Sequence, residues 1–298
     1  MKPIFIKLGI SFIFLMQLHA VDWGMLDSLD GKYYLDGNLF TGQALKHLNT
    51  GPMKGEFQDG IRHGLWLKLN RIGEPIMIGH YEMGLKHGEW KQWYDDERKR
   101  RKELEANFIQ NKYDGPYREW YENGKKSIFG TYVNGLEQGK YQEWYKNGKK
   151  ALKTVYFNGI PDGKYKEWHE NGKKSIFGTY VNGLEHGKYE EWYENGKKAL
   201  KTVYFNGIPD GKYKEWHENG KKGLVIVFKD GGRNGTWTQW YENGKKEMTV
   251  EYVNDVPWGK AKFWFEDGSI QGQGTIKDEV PGGGWLVEDD FGILQVFK

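Results

Sequence analysis

Seven tryptophans, Trp120, Trp144, Trp168, Trp192, Trp216, Trp240 and Trp264, stand 24 residues apart. A fixed period of this size means one supersecondary unit stacked on copies of itself, not a core assembled from distant segments. The phrase Trp120-Tyr121-Glu122-Asn123-Gly124-Lys125-Lys126 returns as Trp192-Tyr193-Glu194-Asn195-Gly196-Lys197-Lys198. Each unit holds two turn signals. Asn-Gly, as at Asn171-Gly172, predicts a two-residue type I′ hairpin turn, because both central residues must take positive φ. A longer link follows, Gly183-Leu184-Glu185-His186-Gly187 in one copy and Gly159-Ile160-Pro161-Asp162-Gly163 in another; Pro presets φ and Gly takes the left-handed position. Strand, tight turn, strand and link predict an all-β fold, an elongated single-layer antiparallel β-meander of repeated hairpins.

A two-residue turn fixes the register. With Asn171-Gly172 at the centre, Trp168 faces Ser175, Tyr165 faces Gly178 and Gly163 faces Tyr180. The same count pairs Gly115 with Tyr132, Gly139 with Tyr156, Gly187 with Tyr204, Gly211 with Phe228 and Gly235 with Tyr252. A ring lying over a bare glycine would pin that register. Gly64, Gly88 and Gly259 hold the same place in divergent units, although Gly259 would face Ile276. One face carries Tyr165, Glu167 and Ile176; the other carries Lys164, Lys166, Trp168 and Phe177. Neither is purely apolar, so the sheet is expected to be wet on both sides. Its Lys and Glu content excludes the lipid-facing band of an outer-membrane barrel.

Residues 115–174 and 163–222 differ at six aligned positions, Gln142/Glu190 among them, which reads as duplication of a two-unit block. The step from Trp93 to Trp120 is 27 residues, and the three extra fall near Asp95 to Lys102, predicting an enlarged hairpin loop. The array, about ten units, is expected over 42–284, with irregular caps at 21–41 and, as a hairpin, at 285–298. Residues 1–20 read as a signal peptide: basic Lys2 and Lys7, an apolar run over 8–16, and a small residue before a cut between Ala20 and Val21. The protein is therefore expected to be exported, periplasmic or secreted, with no transmembrane segment in the mature chain.

Net charge is +3, and removal of Lys2 and Lys7 leaves 3 − 2 = +1, so no nucleic-acid partner is expected. The chain has no Cys, which excludes disulfides and thiol chemistry. Five of the eight histidines fall at repeat positions: His63, His87 and His186 precede link glycines, and His169 and His217 replace the Tyr after Trp. None has metal-site spacing. No metal, cofactor or catalytic residue is expected. Two basic features remain as anion contacts for lipid or polysaccharide. One is the lysine pairs after the Asn-Gly turns; the other is the run Arg98, Lys99, Arg100, Arg101 and Lys102. The tryptophan row is a further candidate binding surface, for sugars or peptides.

The phrase Asn182-Gly183-Leu184-Glu185-His186-Gly187-Lys188-Tyr189, followed by Trp192-Tyr193-Glu194-Asn195-Gly196, resembles the MORN repeat in its bacterial variant form, as in the YwqK family of antitoxins. Leu39-Phe40-Thr41-Gly42 is similar to the opening of the first copy there, and the resemblance covers roughly residues 30–284. It implies a β-hairpin rod that binds a partner; it does not imply a reaction. The expected function is binding or scaffolding of a protein or cell-envelope component. The alternatives are an antitoxin or immunity protein that sequesters a toxin, and a carbohydrate-binding protein.

Overall fold

The computed structural model describes residues 20–96, 99–279, 284–290 and 292–297. They form two compact units, the first ending at Gln138 and the second beginning at Gly139. Both are built of antiparallel strands joined to their sequence neighbours, so the all-β hairpin meander expected from the period is the observed fold. Of the expected leader, residues 1–19 lie outside the described residues.

In the first unit, strands Gly42–Lys46, Met53–Gln58, Ile61–Leu69, Pro75–Glu82, Leu85–Trp93, Lys102–Ile109, Lys112–Trp120 and Lys126–Val133 follow one another in the sheet. The segment before them is not irregular. Val21–Asp22 pairs in parallel with the first strand, and Asp27–Leu29, Lys32–Leu35 and Asn38–Leu39 make a small sheet of their own. Trp23 packs edge-on against Tyr33, Phe57 and Trp66, at centroid distances of 5.6, 5.5 and 5.4 Å. The enlarged loop is present: Trp93 pairs with Lys102, and of the residues between them the described ones, 94–96 and 99–101, belong to no strand.

The second unit repeats the hairpin from Gly139–Trp144 and Lys150–Phe157 onward and ends in the paired strands Trp285–Glu288 and Leu294–Phe297. All six glycine–aromatic pairs occur as expected, from Gly115–Tyr132 to Gly235–Tyr252. Nearer the turn the expected register fails by one residue, because Trp168 pairs with Lys174 and not with Ser175. The two turns have exchanged types. At Asn171-Gly172 only the glycine has positive φ, +86°. The Asn171 Oδ1 accepts the Lys173 N–H at 2.8 Å, and the Gly172 N–H donates to the His169 carbonyl at 2.7 Å. This Asx closure holds a longer turn, and a bulge beside Trp168 absorbs the odd residue. The two-residue turn sits instead at Asn182-Gly183, with φ +50° and +81° and Val181 paired to Leu184. The expected link is therefore strand: Leu184 and Glu185 continue the ladder, His186 bulges out, and pairing resumes beyond Gly187.

The glycines also serve a purpose other than the expected one. A Cβ at Gly139, Gly187 or Gly211 would meet nothing within 4 Å, and the Tyr180 ring leans on Tyr165, 4.9 Å away, and not on Gly163. What the position requires is backbone freedom: all nine repeat glycines have φ between +64° and +127°. Rings do lie over glycines, but at other sites. A Cβ on Gly55 would collide with the Trp66 ring, one on Gly79 with Trp90, and one on Gly178 would stand 2.7 Å from Tyr189.

Candidate binding surface

Strand alternation sorts the side chains of residues 139–222 into two chemically different faces. Two residues after each repeat glycine comes a tyrosine, and two further a glutamate. The Tyr189 hydroxyl donates to Glu191 at 2.9 Å, Tyr213 to Glu215 at 2.6 Å, and Tyr165 to Glu167. Neighbouring rings meet at 4.9–5.6 Å, as in Tyr165–Tyr180, Tyr189–Tyr204 and Tyr213–Phe228. Burial, with the carboxylates adding to it, pushes the Tyr165, Tyr189 and Tyr213 phenols well above their ordinary range, and Tyr180 up to about 12. This face satisfies its own polar groups.

The opposite face carries the tryptophans and lysines. All seven tryptophans are half-buried. Phe177 lies between Trp168 and Trp192, 5.7 and 5.4 Å away. The second lysine of four turn pairs covers a tryptophan: Lys174 and Lys198 reach Trp192 at 5.2 and 5.4 Å, Lys222 reaches Trp240 at 5.5 Å, and Lys246 reaches Trp264 at 5.6 Å. The first lysine of each pair is structural. Lys149 donates to the Asn171 carbonyl, Lys173 to Asn195 and Lys197 to Asn219, each at 2.6 Å. Asn171 and Asn195 donate in parallel to the Glu194 and Glu218 carbonyls at 2.6 and 2.8 Å. Each turn is thus bonded to the next. The residue after tryptophan makes a further link: the Tyr145 and Tyr193 hydroxyls donate to the Trp168 and Trp216 carbonyls. His169 and His217 do the same toward Trp192 and Trp240 at 2.8 and 2.7 Å. A carbonyl only accepts, so these histidines carry the proton on Nε2.

The turn lysines are therefore consumed, and the free cations lie elsewhere on this face. Lys164, Lys188 and Lys212 are exposed, one residue after their glycines. Lys153 pairs across the ladder with Lys166, and Lys201 with Lys214. Burial disfavours the Glu190 charge, but hydrogen bonds from Lys198 and Lys201 outweigh it and hold the carboxyl below its usual range. Beyond the lysines, the edge formed by the Asn-Gly turns of the Asn182 type exposes apolar pairs. Phe157 and Ile160 are 55% and 48% exposed, and Phe205 and Ile208 59% and 50%. Neither feature was singled out from the sequence. The lysines recur at fixed offsets from the glycines, which was the available signal; the apolar pairs were read as link.

In the first unit's basic loop, Arg98 lies outside the described residues and Lys99 is exposed. Arg100 lies 4.6 Å over the Trp93 ring, and Arg101 is ion-paired to Asp96. Lys102 bonds Glu105 at 2.5 Å and covers Trp120. Three of the five cations are thus engaged within the fold. Among the described residues no group of three or more His, Asp or Glu could hold a metal ion, and no helix is long and apolar enough to cross a membrane.

Six segments, residues 113–134, 161–182, 185–206, 209–222, 233–254 and 259–278, match the family model of the MORN repeat variant. The chain carries MORN-variant repeats. The matches at 161–182, 185–206 and 233–254 each take in one longer-turn hairpin and run on to the next two-residue turn, so there the MORN-variant unit and the structural unit coincide. No curated protein matches the chain. Among solved structures, a crystal structure of TcdB2-TccC3 is 8% identical over 85% of this chain, with a TM-score of 0.18. The chain spans 17% of the length of that one, and so weak a likeness carries no argument.

Proposed function

We propose that the protein is an exported, non-enzymatic binding protein that holds a protein or cell-envelope partner on its lysine–tryptophan face. One observation carries the reading: the two faces are unequally satisfied. The tyrosine face ties its hydroxyls to its own glutamates. The other face leaves Lys164, Lys188 and Lys212 exposed, beside an apolar turn edge. Contiguous exposed apolar residues rimmed by charge mark interaction surfaces. MORN-variant repeats suit this role, because stacked units present long surfaces. The leader read in residues 1–20 supports an envelope partner.

Affinity capture from the source cell's envelope extract tests the proposal. The wild-type chain is expected to retain a partner that the triple variant Lys164→Glu, Lys188→Glu, Lys212→Glu does not. Equal retention by both would refute it. Retention of a toxin would convert the reading to the immunity role.

A further inference from the structure

We infer that the lysine rows of residues 139–214 bind a linear acidic polysaccharide, carboxylated or sulfated, laid across the strands. This rests on the binding role proposed above and names the chemistry of the partner. Lys140, Lys164, Lys188 and Lys212 occupy one place in four successive units and are all exposed. Two strands separate each from the next, a step of about 10 Å, so the charges form a regular line at right angles to the strands. A second line runs beside it, where Lys153 stands directly opposite Lys166, and Lys201 opposite Lys214. Like charges facing each other across a ladder destabilise a sheet. Folding does not favour these pairs; a bound polyanion does.

Compensation within the protein is incomplete. Glu190 is the one carboxylate within the two lines, and it bonds Lys198 at 2.7 Å and Lys201 at 3.2 Å. In the duplicated copy its place is taken by Gln142, so neither residue paired with Lys153 is a carboxylate, and Lys166 faces Lys153 and Phe177. On the reverse face the pattern inverts: Glu143, Glu167, Glu191 and Glu215 stand there, each two residues beyond a repeat tyrosine. Lys164, Lys166, Lys188 and Lys201 line one shallow depression with Phe177 and Glu190, four cations to one carboxylate.

The details favour a glycan over other polyanions. The cations are lysines, mobile point charges that suit scattered carboxylates or sulfates better than the forked geometry of arginine would. Single-stranded nucleic acid binders need open aromatic faces for stacking, whereas Phe177 is covered by Lys166 and Lys174, at 5.2 and 4.9 Å, and Trp192 by Lys174 and Lys198. A membrane surface would be met by a contiguous apolar patch, whereas along the lysine line the exposed apolar residues are single valines, Val203 opposite Lys188 and Val227 opposite Lys212.

The test measures binding of the full chain to heparin (sulfated) and polygalacturonate (carboxylated). Neutral dextran, phosphatidylglycerol vesicles and an oligothymidylate serve as the other arms. Retention on at least one acidic glycan is expected. The double variant Lys153→Gln, Lys166→Gln is expected to bind about thirtyfold more weakly, taking a lysine near an anionic surface as a guide. The charge-matched variant Lys32→Gln, Lys112→Gln in the first unit is expected to bind as wild type. The Lys153→Gln, Lys166→Gln chain should melt at or above the wild-type temperature, because a like-charge opposition is gone; a lower melting temperature would contradict that step. The inference is overturned if no acidic glycan is retained, if both double variants bind alike, or if vesicles or the oligonucleotide bind in preference. In each of those outcomes, envelope capture that is lost in the Lys164, Lys188, Lys212 triple variant would still uphold the binding role.

Discussion

The first unit and the duplicated run at 163–222 use one backbone plan with different chemistry at its central position, two residues after the repeat glycine. After Gly64 and Gly88 of the first unit that position is Trp66 and Trp90, each 1% exposed; after Gly115, the last there, it is already Tyr117, which holds Glu119 at 3.0 Å. Their indole N–H groups donate to the Glu56 and His80 carbonyls at 3.2 and 3.1 Å, and their rings cover Gly55 and Gly79. In the duplicated run it is Tyr165, Tyr189 and Tyr213, which stop at a hydroxyl and hold a glutamate. The first solution makes an aromatic core. The second makes a half-wet ladder whose stability is spread over rings, hydroxyls and turn-to-turn bonds. A 24-residue period fixes where a side chain goes without fixing how much stability it supplies.

The comparison is broken most directly at the tryptophans. Trp90→Ala should cost about 3–5 kcal/mol in denaturant melts, as for a buried ring, and the half-buried Trp168→Ala about 2 kcal/mol. Equal costs would mean that burial does not separate the regions.

Glycine substitutions sharpen it next. Gly79→Ala drives a Cβ into the Trp90 ring and should cost about 1–3 kcal/mol by overpacking. Gly187→Ala meets open space but φ of +80°, and should cost about 1–2 kcal/mol from the left-handed backbone alone. Adding Trp90→Ala should rescue Gly79→Ala in part and leave Gly187→Ala unchanged. Rescue of both, or of neither, would contradict the assignment.

Alkaline pH should single out the tyrosine ladder. Phenols with a folded pKa above the unfolded value near 10 contribute stability that is fully present below pH 10 and lost as pH rises through the folded pKa. For Tyr180 that pKa is about 12; Tyr165, Tyr189 and Tyr213 are raised too. Melting at pH 9 to 12 should therefore show stability falling. Tyr165→Phe and Tyr189→Phe together should flatten the fall, and an unchanged slope would remove the ladder from the account.

The smallest effect concerns the turn lysines. Lys173→Ala should cost about 0.5–1 kcal/mol through its lost bond to Asn195. Lys164→Ala should lie within about 0.5 kcal/mol of wild type, as for ordinary surface changes.

The hairpin meander, the glycine–aromatic pairs and the enlarged loop were legible in the sequence because they follow from spacing. The turn types were not. Asn171-Gly172 and Asn182-Gly183 are the same dipeptide, and the distinction rests on whether the asparagine oxygen captures the amide two residues on, as it does at Lys173. The polarity of the faces was also hidden. A net charge of +3 argued against a nucleic-acid partner and carried no sign of a basic face, because it sums lysines and glutamates that lie on opposite sides of one sheet. The tryptophan row was visible from the start, but Lys174 and Lys222, which reach Trp192 and Trp240, come from the preceding hairpins, which no local reading brings together.

Lysine footprinting tests the central claim, that one face holds the sheet together while the exposed lysines of the other meet a partner. Acetylation of the free protein should be fast at Lys164, Lys188 and Lys212 and slow at Lys173 and Lys197, whose ammonium groups are bound to carbonyls of the next turn. Adding the captured envelope partner should slow the first set and leave Lys32 unchanged. Equal reactivity of the two sets in the free protein, or a partner that protects neither Lys164, Lys188 nor Lys212, would contradict the account.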